Sequence, residues 1–258
     1  MTGTMTAIKE HWINQYKRNA PDHPRMLTKD PFVDWDLSSM PEGAAELKIM
    51  FGLQTLYGEG DIATARGFFD QGLAICERAL KEEKFKSDRC KSKLPLNRGM
   101  LLRARAYATG LLGTQPSTEW LLQAADDFLG WIKDFGKGDW DSHAQAYHLA
   151  AVRLSLLAHQ SDQAQELLKT KRSLKQHIEE KELLLDLCAM QPGRGLNEVM
   201  LTKFDKYFDR IRDPRDASSK VFIESTILPL ELGLLRDMYL VSADGEVTWR
   251  RVIAAISQ

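Results

Sequence analysis

Between Pro41 and Pro95 the chain contains no proline, and across that run apolar residues return every third or fourth position: Ile49, Leu53 and Leu56, then Ile62, Ala65, Phe69, Leu73, Cys76 and Leu80. That period lines one face of an α-helix, whereas a half-buried strand alternates every second residue. The spacing predicts two amphipathic helices. Between them lie Gly58, Glu59, Gly60 and Asp61. Glycine supplies the left-handed backbone that ends a helix, and the Asp61 carboxylate accepts from the unpaired N–H groups that begin the next. So short a turn folds the two helices back as a hairpin. No Gly-Lys-Ser/Thr follows these glycines, so they read as turn residues, not as a phosphate cradle.

The pattern recurs. After a polar connection from Lys81 to Asn97, one stripe runs through Leu101, Ala104, Ala108 and Leu111, and the next through Leu121, Ala125, Phe128, Ile132 and Phe135, with a break from Gly113 to Ser117. A third pair opens on Ser142 and Gln145, spaced as a capping box, and continues through Ala144, Tyr147, Ala151, Leu154 and Ala158. It turns near Ser161 and Asp162 into Ala164, Leu167 and Leu168. Leu174 to Met190 predicts another helix, and Met200, Phe204, Tyr207, Phe208 and Ile211 the apolar face of one more. Ala217 to Tyr239 is helical by pattern, with Pro229 predicted to kink or split it near Ile227. Leu240 to Thr248 carries the turn signal Asp244-Gly245 and predicts a small β-hairpin, before a short closing helix at Val252, Ile253 and Ile256.

Composition agrees with helices: 35 leucines and 24 alanines stand against 7 valines, favouring residues that lose little side-chain freedom in a helix over strand formers. Four of the nine prolines fall within the first 41 residues, where only Ile8, Trp12 and Tyr16 share a helical face. Residues 1–42 are therefore read as an irregular arm with one short helix. Residues 43–258 are read as one all-α domain of stacked antiparallel helical hairpins, with a C-terminal cap from about 240.

The segment Ile49 to Leu73 resembles a tetratricopeptide repeat, with Gly60 and Asp61 at its turn, Ala65 at the small position of the second helix and Phe69 four residues on. Weaker echoes fall on Ala124 or Ala125 with Phe128, and on Ala164 with Leu168. Gly72 stands where the repeat usually has alanine, and the spacing between echoes is uneven, so the pattern is degenerate. The resemblance implies a tetratricopeptide-like α-solenoid. In size, in its proline-broken lead-in and in the segment Pro95 to Tyr107, the chain also resembles the all-helical immunity proteins that bacteria encode beside polymorphic toxins. That resemblance implies a protein that binds one toxin domain and blocks it.

Lys and Arg number 35 against 36 Asp and Glu, so no global basic excess argues for nucleic acid or an anionic membrane. Cys76, Cys90 and Cys188 match neither a disulfide framework nor a zinc pair, which favours a reducing compartment. The first twenty residues lack the apolar core of a signal peptide, and the longest greasy stretch, Ile227 to Leu235, contains Pro229 and Glu231. A cytoplasmic location with no membrane span is the expectation. His143, His148 and His159 lack the i, i+4 spacing that sets two imidazoles on one metal, and no mounted serine nucleophile occurs. No catalytic residue, cofactor or metal site is expected. Cys90 lies among Lys86, Arg89, Lys91 and Lys93, which favours its thiolate, though a basic loop reads as well without chemistry.

Charge is segregated between neighbouring segments. Lys81 to Arg105 holds nine basic residues against three acidic, while Glu119 to Asp141 holds six acidic against two basic and interleaves five aromatic rings. One reading has these segments facing each other within the fold. The other has Asp126, Asp127, Asp134, Asp139 and Asp141 forming an acidic rim around the anchors Trp120, Trp131 and Trp140, suited to a basic protein surface. The functional expectation is a non-enzymatic protein that binds one protein partner, a candidate toxin domain, and occludes its active site. The alternative is a helical-repeat adaptor that binds a peptide segment.

Overall fold

The computed structural model describes residues 41–56, 61–82, 88–112, 116–135, 142–169, 174, 177–190, 197–211 and 222–240. Every regular element among them is a helix: α1 Pro41–Gln54, α2 Ile62–Glu82, α3 Asp88–Leu111, α4 Thr118–Phe135, α5 Ser142–Leu157, α6 Ser161–Leu168, α7 Ile178–Ala189, α8 Glu198–Ile211 and α9 Phe222–Leu240. The all-α class read from periodicity is what the fold shows. The expected N-terminal arm, the Asp244-Gly245 hairpin and the closing helix lie outside the described residues. Two compact units meet within α3, between Ala108 and Thr109.

In the first unit α1 packs against α2. Asp61 starts α2 as its sequence position predicts: its Oδ1 accepts from the Thr64 backbone N–H at 3.0 Å and its Oδ2 from the Thr64 hydroxyl at 2.7 Å. These bonds, the hydroxyl's first, hold the exposed Asp61 carboxyl below its ordinary pKa. The helices approach closely at two glycines. A Cβ on Gly52 of α1 would lie 2.1 Å from Cε1 of the buried Phe69 ring. One on Gly72 of α2 would lie 2.7 Å from a Leu101 methyl and 3.1 Å from Lys48 Cβ. Gly72, the departure from the repeat pattern, is thus where α2 meets both α1 and α3.

The polar connection expected from Lys81 to Asn97 is helical from Asp88 onward, and Pro95 lies inside α3. Proline removes the amide that would bond the Lys91 carbonyl. Tertiary contacts override that loss: Leu94 is fully buried, Lys93 Nζ lies 3.3 Å from Glu46 Oε2, and Asn97 Nδ2 donates to the Glu42 carbonyl at 2.9 Å.

The second unit is built around α5, which contacts α4, α6, α7 and α9, while α8 packs on α7 and α9. Its core joins Leu149, Val152 and Leu156 of α5 to Leu183, Leu184 and Leu187 of α7, Phe204 of α8 and Leu232 and Leu235 of α9. Each fully buried side chain of this kind contributes about 1.5–3 kcal/mol. The same burial accompanies α9, which continues as one helix through Pro229, where a kink or split near Ile227 was expected. Ile227 and Leu232 are buried on either side of the proline and anchor both halves.

α5 ends in a Schellman turn. The Gln160 amide donates to the Ser155 carbonyl at 2.8 Å and the His159 amide to the Leu156 carbonyl at 2.9 Å, with His159 at φ 59°. This left-handed position is usually glycine's. No helix among the described residues is long and apolar enough to cross a membrane.

Candidate functional site

α4 carries the acidic, aromatic segment singled out in the sequence. Leu121, Ala124, Ala125, Phe128 and Ile132 are buried on its inner side, which leaves Glu119, Gln123, Asp126, Gly130, Lys133 and Asp134 exposed on the opposite face. Steps of three and four residues hold these positions in one stripe. Asp126 and Asp134 make no ion pair with a described residue.

The aromatic residues are seated on α5. Tyr147 receives Phe128 at 5.3 Å between ring centroids and the Trp131 ring at 5.5 Å, nearly perpendicular at 81°. Edge-to-face contact of this kind fixes ring orientation. Trp131 is nevertheless only half-buried, as is Trp120 three turns earlier, so each shows part of its side chain to solvent.

Of the expected rim, Asp126 and Asp134 are exposed, five residues before and three after Trp131. Asp127 departs from it: three residues after Ala124, it falls on the inner side, 5% exposed, with Gln123 Nε2 donating to its Oδ1 at 3.4 Å. It offers nothing to a rim. Asp139, Trp140 and Asp141 lie outside the described residues. Glu119 joins the exposed acids.

The basic segment turns partly inward within its own unit. Arg103 is fully buried, Arg105 Nε lies 2.6 Å from Asp70 Oδ1, and Lys93 pairs with Glu46. Those pairs are made with α1 and α2.

The histidines serve the scaffold. His148 is buried, and its Nε2–H donates to the Leu167 carbonyl at 2.8 Å, tying α5 to α6. His159 forms the turn described above. No three His, Cys, Asp or Glu side chains among the described residues are grouped to hold a metal ion. Burial pushes the half-buried Cys188 thiol up to about 11, a direction that suppresses nucleophilic thiolate. Cys76 is fully buried, and the Cys90 side chain lies outside the described residues.

One cluster escaped sequence reasoning. Arg153 of α5, 1% exposed, donates from Nε to Glu231 Oε2 of α9 at 2.6 Å and from Nη1 to Glu180 Oε1 of α7. The Tyr207 hydroxyl of α8 donates to Glu180 Oε2 at 2.9 Å, and His177 Nδ1 lies 3.7 Å from the same oxygen. The signal was present: Arg153 is the lone formal charge in α5, and Glu231 interrupts the greasiest stretch of the chain. Buried charges that bond one another across four helices order those helices, and the cluster reads as structural.

No family model, curated protein or solved structure matches this chain.

Proposed function

We propose that this chain is a non-enzymatic protein-binding protein that acts in the cytoplasm as an immunity protein, inhibiting a cognate toxin domain by covering its active site. The observation that carries the reading is the outer face of α4. Asp126 and Asp134 stand exposed and without an ion pair to a described residue, five residues before and three after the half-buried Trp131, whose ring packs edge-to-face on Tyr147. Exposed acids steer a basic surface into encounter, and a pre-positioned indole contributes contact area at little entropic cost. Glu119 and Trp120 extend the face by two turns.

A second reading, a tetratricopeptide-like solenoid adaptor that takes a peptide segment, draws on the first unit. There the α1–α2 hairpin approaches closely at Gly52 and Gly72, and Ala65 is fully buried.

Tagged protein used as bait in the source cell separates the two. An immunity protein retains one partner in near-stoichiometric amount, toxic when expressed alone, and loses it when Asp126 and Asp134 are both replaced by lysine. An adaptor retains several partners through short segments, and its binding survives those replacements. An α4 face that tolerates the double reversal without loss of the single partner removes it as the binding surface.

A further inference from the structure

α4 carries a glycine that its own fold does not require. Gly130 lies in the helix interior, and a Cβ built there would meet no described atom within 4 Å. Glycine is the poorest helix former after proline, so alanine at so open a position would make the helix more stable. Gly52 and Gly72 are different, because a neighbouring side chain fills the space that their Cβ would take. Between Asp126 and Lys133, Gly130 is the one exposed residue: Asp127, Phe128 and Ile132 are buried, and Leu129 and Trp131 are half-buried. The outer face is therefore notched down to the backbone at this point.

Shape and charge together indicate what fits there. Asp126 and Asp134, both exposed, lie four residues before and four after Gly130 and share its i±4 ridge. Eight residues at 1.5 Å each set the two acids about 12 Å apart along the axis, the width of a helix with its side chains. A single extended strand, at about 4.8 Å, is too narrow to reach both. When the i±4 ridges of two helices pack together they run parallel across the contact, so the spacing on one is repeated on the other. The complement of Asp, Gly, Asp is thus Lys or Arg, a small residue, then Lys or Arg, at i, i+4 and i+8. Lys133 lies about 100° round the helix from Asp134 and off this ridge. Gly67 of α2 is equally open but has Ala63 and Gln71 at the flanking positions, so it lacks the charges.

Resting on the reading that the outer face of α4 is the binding surface, we propose that this face docks a basic helix of the partner protein, which crosses α4 at Gly130. Lys or Arg of that helix meets Asp126 and Asp134, and a small residue between them lets the two backbones approach at the notch. Glycine at residue 130 then serves the contact at the expense of the helix, the usual direction of a trade between function and stability.

The probe is a capped, alanine-based helical peptide with two lysines eight residues apart and alanine midway, titrated at low salt into the nitrogen-15-labelled full chain. Wild type binds it, and the amide shifts centre on Gly130; the same peptide with glutamates for lysines leaves α4 unmoved. Gly130→Ala raises the melting temperature by about 2–4 °C, and Gly130→Leu, which fills the notch, weakens the peptide about tenfold or more. Gly67→Ala also stabilises the chain but leaves peptide affinity unchanged. A peptide that binds Gly130→Leu as well as wild type, yet is lost with Asp126→Lys and Asp134→Lys, overturns the close approach and leaves the acidic face as the binding surface. A Gly130→Ala variant that melts no higher than wild type means that the fold itself needs the glycine, which also overturns the proposal. A wild type whose α4 amides do not respond to the lysine peptide overturns the docked helix, while the α4 reading is decided separately by the bait experiment with the double reversal.

Discussion

Arg153 Nε and Glu231 Oε2 meet 2.6 Å apart in the interior of the second unit, with both side chains buried. Because Arg153 and Glu231 are 78 positions apart in the sequence, this pair ties the unit's last described helix to its central one. Glu180 on the same guanidinium adds α7, and the Tyr207 hydroxyl on Glu180 adds α8.

Removing one member leaves the others buried without compensation. Arg153→Met is expected to destabilise the fold by about 3–5 kcal/mol. Replacing the three charges together, Arg153→Met with Glu180→Leu and Glu231→Leu, removes the desolvation penalty along with the pairing and is expected to recover most of that loss. Urea unfolding of the single and triple variants measures the difference. A triple variant no more stable than Arg153→Met means that geometry, not charge burial, sets the cost.

The helices were legible in the sequence because their stability derives from apolar faces, and a 3.6-residue period records such faces directly. The Asp61 cap was legible for the same reason, since its partners lie three residues away. What was hidden depends on distant residues. α3 persists through Pro95 because Glu42 and Glu46, some fifty positions earlier, hold Asn97 and Lys93. Asp127 belongs to a run of acidic residues, yet helix phase turns it inward while Asp126 beside it faces out. Composition named the segment, and only the packing of α4 on α5 says which of its acids a partner can reach. Arg153 is the lone formal charge of α5 by sequence, but its carboxylates come from α7 and α9, 27 and 78 positions away.

His159 gives a prediction at the turn between α5 and α6. A side chain at φ 59° brings its Cβ toward the following carbonyl, at a cost of about 1–2 kcal/mol that glycine escapes. Glycine adds freedom to the unfolded chain, which returns about 0.4–1 kcal/mol of the gain. His159→Gly is therefore expected to stabilise the protein by roughly 0.5–1 kcal/mol net. His159→Val, branched at Cβ, is expected to destabilise it. Thermal melts of the two variants must move in opposite directions for the strain at this position to be real.

Gly52 makes the opposite case, a glycine required by space. Its missing Cβ lies where the Phe69 ring passes, 2.1 Å away, and that ring is fully buried. Gly52→Ala gains helix propensity of about 1 kcal/mol but forces α1 and α2 apart, and overpacking of about 1–3 kcal/mol or more outweighs the gain. Net destabilisation is expected. Trimming the ring in the Gly52→Ala background with Phe69→Leu should cost less than Phe69→Leu does alone. Additive losses in that cycle count against a direct clash.

Alkaline pH probes a different part of the second unit. Burial raises the Cys188 thiol from an ordinary 9.0 to about 11, and burial raises the Tyr239 phenol from 10.0 to about 12 against an opposing side-chain hydrogen bond with Ser161. Each group is neutral when protonated, so the fold favours the proton that the unfolded chain releases earlier. The unfolded state therefore binds fewer protons above the ordinary pKa, and stability falls with rising pH. From these two groups it is flat below about pH 8, declines first through the range of Cys188 and then through that of Tyr239. Cys188→Ala should remove the first part of the decline and leave the later part, as read from urea midpoints between neutral pH and about pH 11. If wild type and Cys188→Ala lose stability in parallel from neutral pH upward, the buried thiol is not what the first part of the decline reports.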